Sequence, residues 1–171
     1  YNADKINKEL IIRNSKTGES FEALDNKKYK LDNGVCVITD KKGILGLGGI
    51  IGGITTSTEQ DTKNILLESA YFLPTSIRKS SKKLNIITDA KYRFERGIDP
   101  NSITRGLEIA TALILKICGG SASKFLIIGS NSQKNKVINL DIEKFKDVIG
   151  ISISNQEVNK ILTSLGCKIK I

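Results

Sequence analysis

Hydrophobic positions fall into short runs in the first half of the chain and into helical stripes in the second. Leu10-Ile11-Ile12, Phe21 to Leu24, Tyr29 to Leu31, Val35 to Thr39 and Ile44 to Leu47 are runs of strand length. Turn residues separate them: Lys16-Thr17-Gly18-Glu19, Asp25-Asn26-Lys27 and Asp40-Lys41-Lys42-Gly43, the last predicting a hairpin. A glycine-rich stretch follows, Gly46-Leu47-Gly48-Gly49-Ile50-Ile51-Gly52-Gly53. Leu66 to Phe72 predicts an apolar strand holding one carboxylate, Glu68. Beyond Thr88, Ala90, Tyr92 and Phe94 alternate with Lys91, Arg93 and Glu95, which predicts an extended, charged segment.

Two helices stand out. One starts at Pro74, where proline suits the first turn, and runs to Leu84. The other has Asp99 as N-cap and Pro100 as first residue, and Gly119-Gly120 ends it. Ile103, Leu107, Ala110, Leu113, Ile114 and Ile117 form its apolar face. Phe125 to Ile128 predicts a strand, and the polar stretch 129–136 a linker. After it come a strand at Val137 to Leu140, a helix at Asp141 to Ile149 closed by Gly150, and a capping box, Ser154 with Glu157. That box opens a helix with Val158, Ile161, Leu162 and Leu165 on one face, closed by Gly166. Cys167 to Ile171 alternates like a strand.

The fold class is therefore α+β: a strand-rich domain with an amphipathic helix over about 1–132, then an incomplete small α/β module over 133–171. A length of 171 residues suits one domain plus part of another. The polar start at Tyr1, without methionine, and the strand-like end predict an internal piece of a longer protein. No apolar run reaches the roughly 20 residues that cross a bilayer, so no membrane partner is expected.

The net charge of +9 suits a nucleic-acid partner, and equally an AT-rich coding sequence with scattered lysines; charge alone leaves both open. Cys36, Cys118 and Cys167 are far apart, and the chain has no histidine. A zinc site is not expected, nor a Ser-His-Asp or Cys-His catalytic set. Apolar neighbours predict reduced, buried thiols in a cytoplasmic protein.

The glycines do not make a dinucleotide fingerprint, which would need a third glycine where Ile51 stands, and no Gly-Lys-Ser/Thr follows. Gly52 and Gly53 either allow a bulge or close backbone packing, or leave room for a ligand against the backbone. Glu68 is either a surface acid, free or paired to Arg93 or Arg96, or an acceptor at the end of an apolar pocket. The Ala90–Arg96 run is either a surface strand with ion pairs or a phosphate- and base-contacting one.

Three ordered segments carry a resemblance: Gly-Ile-Ile-Gly-Gly at 49–53, Leu-Leu-Glu-Ser-Ala-Tyr-Phe at 66–72, and Thr-Asp-Ala-Lys-Tyr-Arg-Phe-Glu-Arg-Gly-Ile-Asp-Pro at 88–100. In order and spacing they resemble the central editing domain of bacterial phenylalanyl-tRNA synthetase β subunits, and the likeness covers essentially the whole chain. Residues after 132 resemble the first half of the winged-helix-like module that follows. Family members carry a Pro-Leu-His-Ala stretch just before the position of Tyr1, and its histidine lies at the editing pocket.

The resemblance implies hydrolysis of mischarged tyrosyl-tRNA(Phe). It implies that Glu68 reads the tyrosine hydroxyl, that Gly52, Gly53 and Ala90 leave room for the aminoacyl group, and that Thr88 holds the ester end or the attacking water. It implies partners: the synthetase α subunit, the tRNA for phenylalanine, and a tyrosine or phenylalanine aminoacyl group. ATP and Mg2+ would serve the parent ligase in the cytoplasm, with no cofactor or metal in this piece. The rival reading is a non-catalytic RNA- or protein-binding module of the same fold.

Overall fold

The computed structural model describes residues 1–129 and 137–170. The chain divides into two compact units, Tyr1–Asn131 and Ser132–Ile171. The linker expected at 129–136 lies, but for Gly129, outside the described residues, as does Ile171.

In the first unit a 3-10 turn, Ala3–Lys5, precedes six strands: β1 (Ile11–Asn14), β2 (Ser20–Glu22), β3 (Lys28–Lys30), β4 (Cys36–Thr39), β5 (Ile44–Leu47) and β6 (Ile51–Gly52). β1, β4, β5 and β6 form one antiparallel sheet in that order, and β2 and β3 a hairpin. The Asp40–Gly43 turn joins β4 to β5 as its residues predict. The Asp40 carboxylate accepts from the backbone N–H of Lys42 and Gly43, which locks the turn. Register slips between Ile38 and Thr39, leaving Leu45 as an extra residue on β5. At that bulge the Leu45 carbonyl accepts from Gly53 N–H, and a Cβ at Gly53 would sit 2.6 Å from the same oxygen. Only glycine permits that approach. It ties the end of β6 to β5 and, through an Ala23–Gly53 bridge, to the β2–β3 hairpin.

The core gathers Phe21, Val37 and Leu47 from the strands, Leu31, Val35 and Ile50 from the residues next to strand ends, and Ile77 and Ile86 from the helical part. Ile77 belongs to α1 (Pro74–Leu84), which has Pro74 in its first turn and Asn85 in the left-handed region at its end. Ile77 is 1% exposed, so truncating it to Ala costs about 2–5 kcal/mol.

The Thr88–Glu95 region is not extended. Asp89–Phe94 is a helix, α2, and alternation over so few residues does not distinguish the two states. The Thr88 hydroxyl caps it, and Lys91 pairs with Glu95 one turn on at 3.2 Å. The long helix α3 spans Ser102–Cys118, starting later than expected. Asp99 forms a turn ahead of it, accepting from Asn101 N–H on its carboxylate and from Ser102 on its carbonyl. No residue of α3 is fully buried, and Leu113 and Ile117 lie exposed.

Beyond α3, three expected strands are absent among the described residues: Phe125–Ile128, Val137–Leu140 and 167–170. A strand exists only through a neighbour's ladder, and these segments pair with none. The cysteines are free, but Cys118 and Cys167 are exposed rather than buried and Cys36 is half-buried. The second unit holds α4 (Ile142–Ile149) and α5 (Asn155–Ser164). Asp141 caps α4, Gly150 ends it at φ 76°, and Ser154 caps α5 by accepting from Glu157 N–H. Val158 on α5 is buried.

Candidate functional site

Residues 66–72, expected as a strand, form none and are held at a few points. A single bridge joins Ile65 to Asn2. The Tyr1 and Leu66 backbones exchange two hydrogen bonds, each 3.0 Å. Ser69 donates from Oγ to the Ile103 carbonyl at 2.9 Å, tying the segment to the first turn of α3. Phe72 packs edge-on against Phe94 of α2, with ring centroids 5.2 Å apart. The Phe72 ring also covers Gly48 and Gly49, where a Cβ would come within 2.6 and 2.8 Å of it. Glu68 thus sits in a stretch fixed on both sides.

The Glu68 side chain is exposed, and neither of the arginines offered as surface partners, Arg93 and Arg96, is paired with it among the described residues. The Glu68 carboxylate accepts a hydrogen bond from the Tyr1 phenol, O–H to Oε2, at 2.7 Å. Arg96 is engaged elsewhere, with its guanidinium 3.6 Å from the Tyr92 ring centroid and bonded to Glu95 and the Tyr92 carbonyl. Glu68 keeps an open side to solvent. Surrounding protein still removes enough water to push its carboxyl above the ordinary value, against the Tyr1 hydrogen bond, which pulls it down. Burial, then the Glu68 charge, holds the Tyr1 phenol protonated far above its usual range. Burial and Glu68 likewise raise the Cys36 thiol, so Cys36 stays neutral.

Thr88 reaches the glycine-rich stretch directly. Its hydroxyl donates to the Ile50 carbonyl at 2.6 Å and accepts from Lys91 N–H at 3.0 Å. A hydroxyl has one proton and two lone pairs, so one lone pair remains for a further donor. Ala90 follows two residues later, exposed in the first turn of α2. Gly52 lies under Leu24, whose Cδ1 would be 3.1 Å from an added Cβ. Gly53 is buried at the bulge, so its missing side chain is accounted for by the backbone packing described above. On the other side of the stretch, the Gly48 N–H donates to the carbonyl of Cys36, the residue whose thiol feels Glu68. Thr88 is therefore bonded to the stretch 46–53, at Ile50, while the Glu68 carboxylate is bonded to Tyr1. Two surface hollows lie elsewhere: about 390 Å³ along α3 and about 260 Å³ beside α4 and α5. Neither is lined by these residues, and both are shallow.

Tyr1 and Cys36 were not legible as site residues. The Tyr1–Glu68 contact spans 67 positions, and nothing local in the sequence marks it.

The model of the B3/4 domain family matches residues 1–119. The chain is 40% identical over 166 residues to the phenylalanine–tRNA ligase beta subunit of Rhodopseudomonas palustris, covering 97% of this chain and 21% of that one. It is 39% identical over 170 residues to that of Ruegeria pomeroyi, 99% of this chain and 21% of the relative. A Wolbachia beta subunit is 40% identical over 166 residues, again 97% and 21%. The chain spans about a fifth of the length of these curated relatives.

Proposed function

The chain belongs to the B3/4 domain family, and from that premise we propose that it is the editing part of a phenylalanine–tRNA ligase β subunit, hydrolysing mischarged tyrosyl-tRNA(Phe). One observation carries the reading: the Glu68 carboxylate already accepts a phenol O–H, that of Tyr1, at 2.7 Å. The same bond is what a tyrosyl group would offer. Tyrosine and phenylalanine differ by one hydroxyl. An apolar synthetic pocket rejects an added hydroxyl only about 100-fold, whereas a site built to bond it discriminates far more strongly. A phenylalanyl group would leave a partly desolvated carboxylate without a partner.

In the proposed reaction, water attacks the ester carbonyl and the ribose hydroxyl leaves, giving tyrosine and free tRNA. The ester is intrinsically activated, so a positioned water suffices. The remaining lone pair of Thr88 accepts from that water, while its own O–H keeps donating to the Ile50 carbonyl. Gly52 and Ala90 leave space for the aminoacyl group, and Gly53 supports that wall through its contact with Leu45.

The synthetase α subunit, the tRNA and the cytoplasm belong to the same proposal. ATP and Mg2+ would serve aminoacylation by the parent ligase. Among the described residues no group of three or more His, Cys, Asp or Glu side chains could hold a metal ion, and the proposed editing step uses none.

The test is deacylation of tyrosyl-tRNA and phenylalanyl-tRNA by the intact synthetase. Glu68→Ala lowers kcat/KM for the tyrosyl ester about 10- to 100-fold, the range of one hydrogen bond to a charged group, and leaves aminoacylation intact. Unchanged selectivity would sink Glu68 as hydroxyl reader. A wild-type enzyme that deacylates neither ester would favour the non-catalytic binding module.

A further inference from the structure

Tyr1 does more than fill space beside Glu68. Its backbone is clamped to Leu66 by two hydrogen bonds, which aims the ring at the residue two positions on. Its hydroxyl donates to the carboxylate at 2.7 Å, and the phenol stays protonated far above its usual range, so it is always available as a donor. Resting on the reading of Glu68 above, we propose that Tyr1 is a built-in place-holder: its phenol occupies the hydroxyl-reading carboxylate while the site is empty and leaves when a tyrosyl group arrives.

The exchange is balanced at that bond. One phenol–carboxylate hydrogen bond breaks and another of the same kind forms. A phenylalanyl group also has to displace Tyr1, but returns nothing to Glu68. The closed state lowers the apparent affinity of every aminoacyl group by one factor, the fraction of molecules in which Tyr1 has left. The ratio between tyrosyl and phenylalanyl groups is set by Glu68 alone. Tyr1 sets the absolute threshold and keeps correctly charged esters from lodging in the site.

The experiment compares Tyr1→Phe with wild type in the intact synthetase. The substitution keeps the ring and removes the hydroxyl. KM for tyrosyl-tRNA deacylation falls about threefold to tenfold, with kcat unchanged. Inhibition by phenylalanyl-tRNA tightens by the same factor, so selectivity stays constant. This separates the proposal from the functional reading, since Glu68→Ala changes the ratio. Unchanged affinity for both esters in Tyr1→Phe overturns the place-holder, and so does a change in one ester only. A second readout needs no variant: with Tyr1 labelled by 13C at Cζ, saturating L-tyrosine shifts that resonance as the hydroxyl loses its carboxylate. A resonance that does not move under saturation also overturns the proposal.

Discussion

Glu68 carries a carboxyl held above its ordinary 4.5 because lost hydration outweighs the Tyr1 hydrogen bond. A raised native pKa means the folded chain binds more protons than the unfolded one between 4.5 and the raised value. Stability from this group is complete below the ordinary pKa and is lost as pH rises through the native one. Glu68→Gln removes that loss while keeping an acceptor for Tyr1. The variant is expected to be at least as stable as wild type at pH 7, and its Tm to fall less as pH rises above 4.5. Thermal melts across that range check it; a large loss of Tm at pH 7 would contradict the desolvated-carboxylate account. The sequence singles out Glu68 because a lone acid among Leu66, Leu67, Ala70 and Phe72 is conspicuous. Its partner was not legible, since Tyr1 is brought to it across 67 positions by a pair of backbone bonds.

Thr88 shows how one side chain serves an element and a site together. It caps α2 through Lys91 N–H and pins that helix start to the Ile50 carbonyl. Thr88→Val keeps the shape and loses both bonds, at a cost of about 1–2 kcal/mol in urea unfolding, while Thr88→Ser retains most of it. A Val variant as stable as wild type would show that neither bond matters. Helices with a proline start or a capping residue, α1, α4 and α5, were readable because those signals act within a turn. α2 was misread because six residues satisfy both periods, and its Thr88 cap and Lys91–Glu95 spacing carry more weight than the alternation. Residues 66–72, 125–128 and 137–140 have strand composition without strand structure, since a ladder depends on a neighbour that no local pattern supplies.

At the scale of the molecule, the main buried cluster runs from Phe21 to Ile86, all within the first compact unit, while Val158 is buried in the second. Deleting Ser132–Ile171 is therefore expected to leave the amide spectrum of the first unit's core unchanged. Loss of dispersion at Val37, Leu47 and Ile77 would show that its packing depends on the second unit. The exposed apolar residues of α3 and of Phe125–Ile128 mark where the first unit is least self-contained. By itself the sequence determined the α+β class, the β4–β5 hairpin, the type of four of the five α-helices among the described residues, and the family likeness. These rest on short-range spacing: turn residues, caps and the helical period. Only the tertiary structure decided that Glu68 faces a phenol, that Thr88 is tied to the glycine-rich stretch, and that Gly53 is glycine because the Leu45 carbonyl is there. Each of those contacts joins residues far apart in the chain, and its energy depends on distance and hydration in space, which no local spacing encodes.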